Sequence, residues 1–224
     1  MIAERLRKAV LQAAIQGKLT QRLPQDGDAR DLLGEITAEK EQLIREGKIK
    51  RQKPLPEITE DEIPFEIPEN WCWVRLGDTL TVSSGRGLVM KNMSENGSFL
   101  VYGGNGVNGR YDNWFVEKGT LVIGRVGYYC GSIHRVDDRC WVSDNALIVD
   151  LRGDIFDITF LEMLLRAIDL KRTSVSTAQP VISGKRIYPL LIPLPPLPEQ
   201  QHIVAKLEEI LPQSDKLQAV EEEL

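Results

Sequence analysis

The feature that most constrains the fold is a proline-rich segment at residues 189–210, with the sequence PLLIPLPPLPEQQHIVAKLEEI. Five of its residues are proline, which has no N–H to donate in a strand ladder or in the interior of a helix. We therefore expect the chain to run extended here. Beyond the prolines, apolar residues recur at helical spacing: Ile203, Leu207, Ile210, Leu217 and Leu224. This spacing predicts a helix whose apolar stripe packs against a partner helix, with a kink or break near Leu211 because Pro212 lies in its interior.

Two further helices are predicted near the N-terminus. The first runs over about residues 2–16, has Leu6 and Val10 on its apolar side and stops at Gly17. The second runs over about residues 29–46, after the capping residue Asp28.

A proline- and acid-rich linker follows at residues 54–68, with the sequence PLPEITEDEIPFEIP. Linkers of this composition mark domain boundaries. We therefore divide the chain into a helical region with its linker, a central domain, and a terminal strut with its helix. The predicted bounds are residues 1–62, 63–192 and 193–224.

The central region changes to short apolar runs separated by Gly, Asn and Asp, which is typical of strands. The runs are WCWVRLGD, TVSS, SFLVYGG, GTLVIGR, GSIHRV and NALIVDL. Asn96-Gly97 and Asn108-Gly109 are turn signals. A buried helix is predicted over residues 158–171, capped by Asp157, and the last strand over residues 186–193. The fold class is therefore α+β, with a β-rich domain flanked by helices.

Composition limits the classes of function. No apolar run approaches the ~18–20 residues of a membrane span, and three cysteines without a C-x-x-C pattern argue against a disulfide framework. We expect a reducing cytoplasm. The net charge of −5 is unusual for a nucleic-acid binder. Residues 81–190, however, hold 13 basic and 11 acidic side chains, so the central domain is mildly positive.

Residues 104–109 match G-x-G-x-x-G, but no helical pattern follows, so a dinucleotide site is disfavoured against a glycine-rich strand connection. Cys130, His134 and Cys140 fall one short of the four ligands of structural zinc. With two histidines and no paired nucleophile and base, we interpret the chain as a non-enzyme without a metal site or cofactor of its own.

Several stretches together resemble one family, the specificity subunits of type I restriction–modification enzymes. The proline segment matches its conserved region, and Lys8–Thr20 resembles part of the family's conserved helix. The other matching stretches are Trp71–Asp78, Tyr102–Gly109, Val122–Gly127 and Ala178–Gly184, in the family's order. Family subunits usually carry two target recognition domains joined by antiparallel conserved helices, whereas this sequence contains one. The resemblance implies a half-subunit that pairs with itself or the first half of a longer subunit, with its flanking helices forming an antiparallel coiled-coil arm.

The resemblance also implies a function. One recognition domain would read ~3–5 base pairs of a split double-stranded DNA target by direct readout. The helices would set the spacing of the half-sites and dock methyltransferase subunits, and through them a restriction and translocation subunit. S-adenosylmethionine, ATP and Mg would be bound by those partners. The alternatives are a coiled-coil scaffold whose globular domain binds protein, favoured by the net negative charge, and, less favoured, an enzyme that uses the glycine-rich loops.

Candidate site residues fall into three groups. Base readers on polar loops are Ser84, Arg86, Lys91, Asn105, Asn108, Arg110, Arg125, Ser176 and Gln179. Phosphate contacts are Lys171, Arg172, Lys185 and Arg186. The predicted coiled-coil interface comprises Leu6, Val10, Ile203, Leu207, Ile210, Leu217 and Leu224. Each polar candidate has an ordinary exposed surface residue as its alternative, and most nearby aromatic residues (Tyr102, Tyr111, Trp114, Tyr128 and Tyr129) are expected to pack in the core.

Overall fold

The computed structural model describes residues 2–47, 53–151, 153–174 and 180–223. The chain forms two compact units. The first comprises Met1–Val74, Gly153–Ala167 and Leu191–Leu224, and the second comprises Arg75–Arg152 and Ile168–Leu190. The units interleave along the chain, whereas the predicted domain bounds are consecutive, and those bounds stay predictions.

The elements alternate between helices and short strands. In chain order the helices are α1 (Ile2–Ile15), α2 (Ala29–Arg45), α3 (Leu76–Thr79), α4 (Ile158–Ala167), α5 (Gly184–Ile187) and α6 (Leu197–Glu223). The strands are β1 (Cys72–Arg75), β2 (Leu80–Ser84), β3 (Phe99–Gly103), β4 (Gly106–Tyr111), β5 (Leu121–Gly124), β6 (Ile133–Arg135), β7 (Cys140–Val142), β8 (Ala146–Leu151) and β9 (Leu191–Leu194). The α+β class is confirmed. No helix in the described part of the chain is long and apolar enough to cross a membrane.

Helices α1 and α6 of the first unit pack side by side in opposite directions. The N–H of Ile2 donates to Glu221 Oε1 at 2.6 Å, and Arg7 NH1 contacts Asp215 Oδ1 at 2.7 Å. Ala3 and Ala14 are buried. The Arg7–Asp215 pair is half exposed, so solvent screening leaves it worth at most ~1 kcal/mol.

The limits of α1 and α2 agree with the predictions. Gly17 ends α1 with a φ of +67°, and a Cβ there would collide with the Pro68 ring, so the position requires glycine. The Asp28 side chain accepts from the Arg30 N–H at 2.8 Å and caps α2.

The proline segment extends as predicted over β9, which pairs with β1. Helix α6 then begins at Leu197, and Pro198 lies in its first turn, where an N–H would have no partner within the helix. One expectation was wrong, because residues 184–187 form helix α5 rather than the start of the last strand. A kink or break was expected near Leu211; α6 shows no break at Pro212, and the kink stays a prediction. Contacts of α1 with Asp215 and Glu221, beyond the proline, hold the last turns in place.

Gln200 lies at the start of α6 and is fully buried. Its Nε2 donates to the carbonyl oxygens of Ile155 at 2.8 Å and Pro195 at 3.0 Å, and its Oε1 accepts from the N–H of Asp157 at 2.9 Å. Asp157 in turn caps α4 through Oδ1, as predicted, although α4 ends at Ala167 rather than at residue 171. One amide thus joins the proline segment, α6 and the N-terminus of α4.

The second unit contains two small sheets. One has the strand order β2-β8-β5-β6, all antiparallel, and the other has the order β4-β3-β7, with β3 antiparallel to β4 and parallel to β7. A core shared by strands of both sheets consists of Tyr102, Val116, Val122, Val136, Cys140, Val142 and Ala146. Alternate residues lie on one side of a strand. Apolar residues at every second position, such as Cys140 and Val142, therefore give each strand one apolar side that packs in this core.

One turn assignment differs from the sequence prediction. Asn108-Gly109 lies inside β4, and the hairpin instead turns at Gly104-Asn105. The Asn108-Gly109 pair misled the turn prediction. The strand pairing places Gly103 opposite Gly106, which leaves only Gly104 and Asn105 for the turn.

Replacing Gln200 with Ala should lower the free energy of unfolding by about 3 kcal/mol, because buried carbonyl and N–H groups lose their partners. The measurement is urea denaturation followed by circular dichroism. The adjacent and exposed Gln201 provides a matched control, and Gln201→Ala should change stability by less than about 0.5 kcal/mol. Equal stability of the two variants would contradict the role assigned to Gln200.

Candidate nucleic-acid interface

The eleven described candidate readers and phosphate contacts all lie in the second unit. Ten of them are exposed, and Arg125 is half-buried. Ser176 and Gln179 lie outside the described residues. The structure brings some of the candidates into two clefts, and it holds others in contacts within the protein.

Asn108 is placed by a β-bulge. Val101 pairs with Gly109 and Tyr102 pairs with Val107, so Asn108 is the extra residue of β4. Bulges change the direction of a side chain relative to the regular pleat. The Asn108 amide lies against the backbone of Gly103, where a Cβ would collide with Nδ2. The bulge and the missing side chain at position 103 therefore set the position of this amide.

The first cleft, here named the amide cleft, has a volume of about 290 Å³. It is lined by Gly104, Asn105, Asn108, Val126, Tyr128, Tyr129 and Asn145. The two tyrosines are in edge-to-face contact with ring centroids 5.0 Å apart, and 78% of Tyr128 and 50% of Tyr129 are exposed. An exposed aromatic pair beside three amides is a surface suited to a flat, polar ligand.

Close backbone contacts form the floor of the amide cleft. Ser132 Oγ donates to the carbonyl oxygen of Gly104 at 3.1 Å, and the N–H of Arg125 donates to the carbonyl of Asn145 at 2.9 Å. A Cβ at position 104 would lie 3.0 Å from the carbonyl oxygens of both Asn145 and Val126. Glycine at this position allows the strands to approach closely and bring the three asparagines together.

Two arginines predicted as base readers donate to groups within the protein. Arg110 Nε donates to the carbonyl of Gly97 at 2.5 Å, and NH2 donates to that of Ser98 at 3.1 Å. Arg125 NH1 donates to Ser84 Oγ at 3.0 Å and to the Asp144 carbonyl at 3.3 Å. The Arg125 contacts hold Asp144, next to Asn145 of the amide cleft, and the Arg110 contacts hold the connection before β3. Base readout by either arginine stays a prediction.

Two further predicted readers, Arg86 and Lys91, lie in the connection between β2 and β3. The Arg86 guanidinium lies 4.2 Å from the centroid of the Phe115 ring, a cation–π contact. Lys91 lies in the exposed 3-10 turn Met90–Asn92. Neither residue lines the amide cleft, so the structure divides the predicted readers between different surfaces.

The second cleft, here named the basic cleft, has a volume of about 550 Å³. It is lined by Arg172, Thr173, Ser174, Ser183, Lys185, Arg186 and Pro189. Within the described part of the chain, no carboxylate forms an ion pair with Arg172, Lys185 or Arg186. Three positive charges beside hydroxyl groups form a surface that attracts phosphate oxygens.

Lys171 connects the two clefts in sequence and in space. It precedes Arg172 of the basic cleft, and its Nζ donates to the carbonyl of Tyr128 at 3.0 Å. The same ammonium lies 4.6 Å from the centroid of the Tyr128 ring. Lys171 therefore fixes the exposed Tyr128 at one side of the amide cleft, in addition to its predicted role as a phosphate contact.

The cysteines have weakly acidic thiols. Burial raises the pKa of Cys140 to about 12 and that of Cys72 to about 11, and it also raises the pKa of the Cys130 thiol. A thiol is nucleophilic as its thiolate, so these groups are unreactive near neutral pH. Among the residues that the structure describes, no group of three or more His, Cys, Asp or Glu side chains could hold a metal ion.

Sequence reasoning missed one residue of the amide cleft and misjudged two. Asn145 was not a candidate, although it follows Ser143-Asp144 in a polar connection between strands. Core packing was expected for most of the aromatic residues, and Tyr102 is indeed buried, but Tyr128 and Tyr129 are exposed. Two adjacent tyrosines after Val126-Gly127 are the signal that could have indicated a loop surface.

The predicted interface residues on α1 and α6 differ in exposure. Ile203 and Leu207 are buried within the first unit, Val10, Ile210 and Leu217 are half-buried, and 41% of Leu6 is exposed. Leu224 lies outside the described residues. Their assignment to a coiled-coil interface stays a prediction.

A family model described as the type I restriction modification DNA specificity domain matches residues 68–224. The EcoAI specificity subunit of Escherichia coli is 30% identical over an alignment of 240 positions that covers 96% of this chain and 41% of that protein. The chain thus spans less than half the length of this relative.

Solved structures share the fold. A chain from a structure entitled "Structural basis underlying complex assembly and conformational transition of the type I R-M system" superposes with a TM-score of 0.60, 21% identity and coverage of 99% of this chain and 52% of that one. The HsdS subunit from Thermoanaerobacter tengcongensis gives a TM-score of 0.57 and 20% identity, over 97% of this chain and 51% of that one.

Replacing Arg110 with Ala should loosen the Ser94–Ser98 loop, because the carbonyls of Gly97 and Ser98 lose their guanidinium donors. Each of the two lost hydrogen bonds is worth about 1 kcal/mol, so amide hydrogen exchange in residues 94–98 should become about fivefold to thirtyfold faster. Lys118→Ala, at another exposed position of the same unit, is the control. Unchanged exchange in Arg110→Ala would mean that these contacts do not order the loop.

Proposed function

The chain belongs to the family of type I restriction–modification DNA specificity domains, and from that membership we propose that it recognises one half of a split double-stranded DNA target. The observation that carries the proposal is the family match over residues 68–224, a range that contains the entire second unit. Both clefts lie in that unit. The amide cleft would face base edges, and the basic cleft would face the phosphate backbone.

The chemistry of the two clefts supports this division of roles. Base readout needs donors and acceptors held at fixed positions, and a bulge and a close backbone contact place Asn108 and Asn145 at the amide cleft. Phosphate contacts supply affinity and orientation without sequence information. Exposed Arg172, Lys185 and Arg186 fit that second task, because long cationic side chains can follow a phosphate backbone.

Catalysis would reside in partners. The helices of the first unit would dock methyltransferase subunits, and through them the restriction subunit, in the cytoplasm. Those partners would bind S-adenosylmethionine, ATP and Mg, while this chain would contribute recognition without a reaction of its own. The antiparallel pair α1 and α6 is a surface on which a second copy could pair, so that two recognition domains would act together.

A protein-binding scaffold is the second candidate, and the net charge of −5 favours it. The two candidates differ in their response to salt. DNA binding through several phosphates weakens steeply as salt rises, whereas apolar helix pairing does not.

The double variant Lys185→Ala/Arg186→Ala should bind duplex DNA more weakly at every sequence, with the slope of log K against log salt reduced by about 2. Fluorescence anisotropy on labelled duplexes between 50 and about 200 mM salt measures this slope. Lys118→Ala/Arg139→Ala removes equal charge from exposed positions of the same unit and should leave the slope within about 0.5 of the parent value. Equal slopes in the two double variants would remove the basic cleft from the DNA interface.

A further inference from the structure

The amide cleft contains polar groups that the protein leaves without partners. Among the described residues, none is hydrogen-bonded to the side-chain amides of Asn105, Asn108 or Asn145, and all three side chains are exposed. An amide has both a donor and an acceptor. Three such groups around one cleft therefore offer paired donor and acceptor sites to a ligand.

Two cations beside the amide cleft, Arg125 and Lys171, already donate hydrogen bonds to groups within the protein. Arg125 donates to Ser84 and Asp144, and the Lys171 ammonium donates to the Tyr128 carbonyl beneath the ring. A guanine presents two acceptors, N7 and O6, in the major groove and is matched by the donors of arginine or lysine. Each asparagine amide joins a donor NH2 to an acceptor oxygen, so a single amide does not match the two adjacent acceptors of guanine as a guanidinium does.

Adenine has the complementary pattern. Its N7 accepts and its N6 amino group donates, and the amide of asparagine can satisfy both at once. Asn108 is the best placed of the three asparagines, because the bulge sets the direction of its side chain and Gly103 leaves room for its amide. The opposite base of the pair, thymine, exposes a methyl group in the same groove. Tyr128, with 78% of its surface exposed, offers an apolar ring for that methyl.

We infer that the amide cleft reads an A·T base pair in the major groove, with Asn108 bound to N6 and N7 of adenine and Tyr128 in contact with the thymine methyl. This inference rests on the proposed function, because it assigns a base pair to the same recognition surface. Asn108 and Tyr128 are then specificity-determining residues, one by hydrogen bonding and the other by apolar contact.

The test begins with a randomised duplex library selected on the full chain, followed by affinity measurements on the enriched duplex. Replacing the recognised adenine with 7-deazaadenine removes only the N7 acceptor, and replacing the thymine with uracil removes only the methyl group. The first change should weaken binding of the parent chain about tenfold. The second should weaken it about threefold.

Variants at Asn108 and Tyr128 test which side chain contacts adenine N7 and which contacts the thymine methyl. Asn108→Ala should bind the adenine and 7-deazaadenine duplexes equally, and Tyr128→Ala should bind the thymine and uracil duplexes equally. Asn108→Asp keeps the size of the side chain but cannot donate to N7, so it too should be insensitive to 7-deazaadenine. Asn96→Ala, an exposed asparagine outside the cleft, should retain the parent's response. Circular dichroism confirms that each variant is folded.

The outcomes separate this inference from the function on which it rests. Failure of the parent chain to enrich any sequence would contradict DNA recognition itself. An enriched sequence could lose the same affinity on 7-deazaadenine substitution in the parent and in Asn108→Ala. That result would leave DNA recognition standing but would overturn the amide cleft as the reader of the A·T pair. Loss of preference for a G·C pair in Asn108→Ala would also overturn the assignment to adenine.

Discussion

The first unit depends on the buried amide of Gln200, because prolines deprive the surrounding backbone of donors. Residues 189–198 contain five prolines, so this stretch cannot satisfy neighbouring carbonyls through its own N–H groups. Gln200 replaces those missing donors at Ile155 and Pro195, and it accepts from Asp157 where α4 begins. The direction of α6 is fixed at its first turn, and its far end then meets α1 in an antiparallel pair.

The second unit obtains its surface by a different means, the close approach of backbones. Gly103 leaves room for the Asn108 amide. A Cβ on Gly104 would lie 3.0 Å from the carbonyl oxygens of Asn145 and Val126. Short strands and one bulge bring Asn108 of β4 to the same cleft as Asn105 and Asn145 from two connections. A rigid sheet core beneath variable polar loops is a general arrangement for recognition, because the loops can change while the core holds them in position.

The sequence predicted elements better than it predicted the site. Periodicity located α1, α2 and most strands, and Asp28 and Asp157 were identified as caps because a short carboxylate before an apolar run has few other roles. The bulge at Asn108 was missed because local sequence favoured an Asn-Gly turn, and cross-strand pairing decided otherwise. Pro212 was expected to kink or break α6; the helix is unbroken there, and contacts with α1 hold the turns beyond it. The separation into an amide cleft and a basic cleft depends on side-chain partners, such as those of Arg110, that no spacing in the sequence encodes.

The central claim is that this chain supplies sequence recognition to a separate methyltransferase, and a methylome tests it most directly. The chain would be co-expressed with its cognate methyltransferase subunit in a host without DNA methylation, and modified bases would be located by sequencing. The account predicts new methylation confined to one split target sequence. A palindromic target would indicate that two copies read the two halves, and an asymmetric one would indicate a second recognition domain. A stable complex that adds no methylation would contradict the account and favour the scaffold.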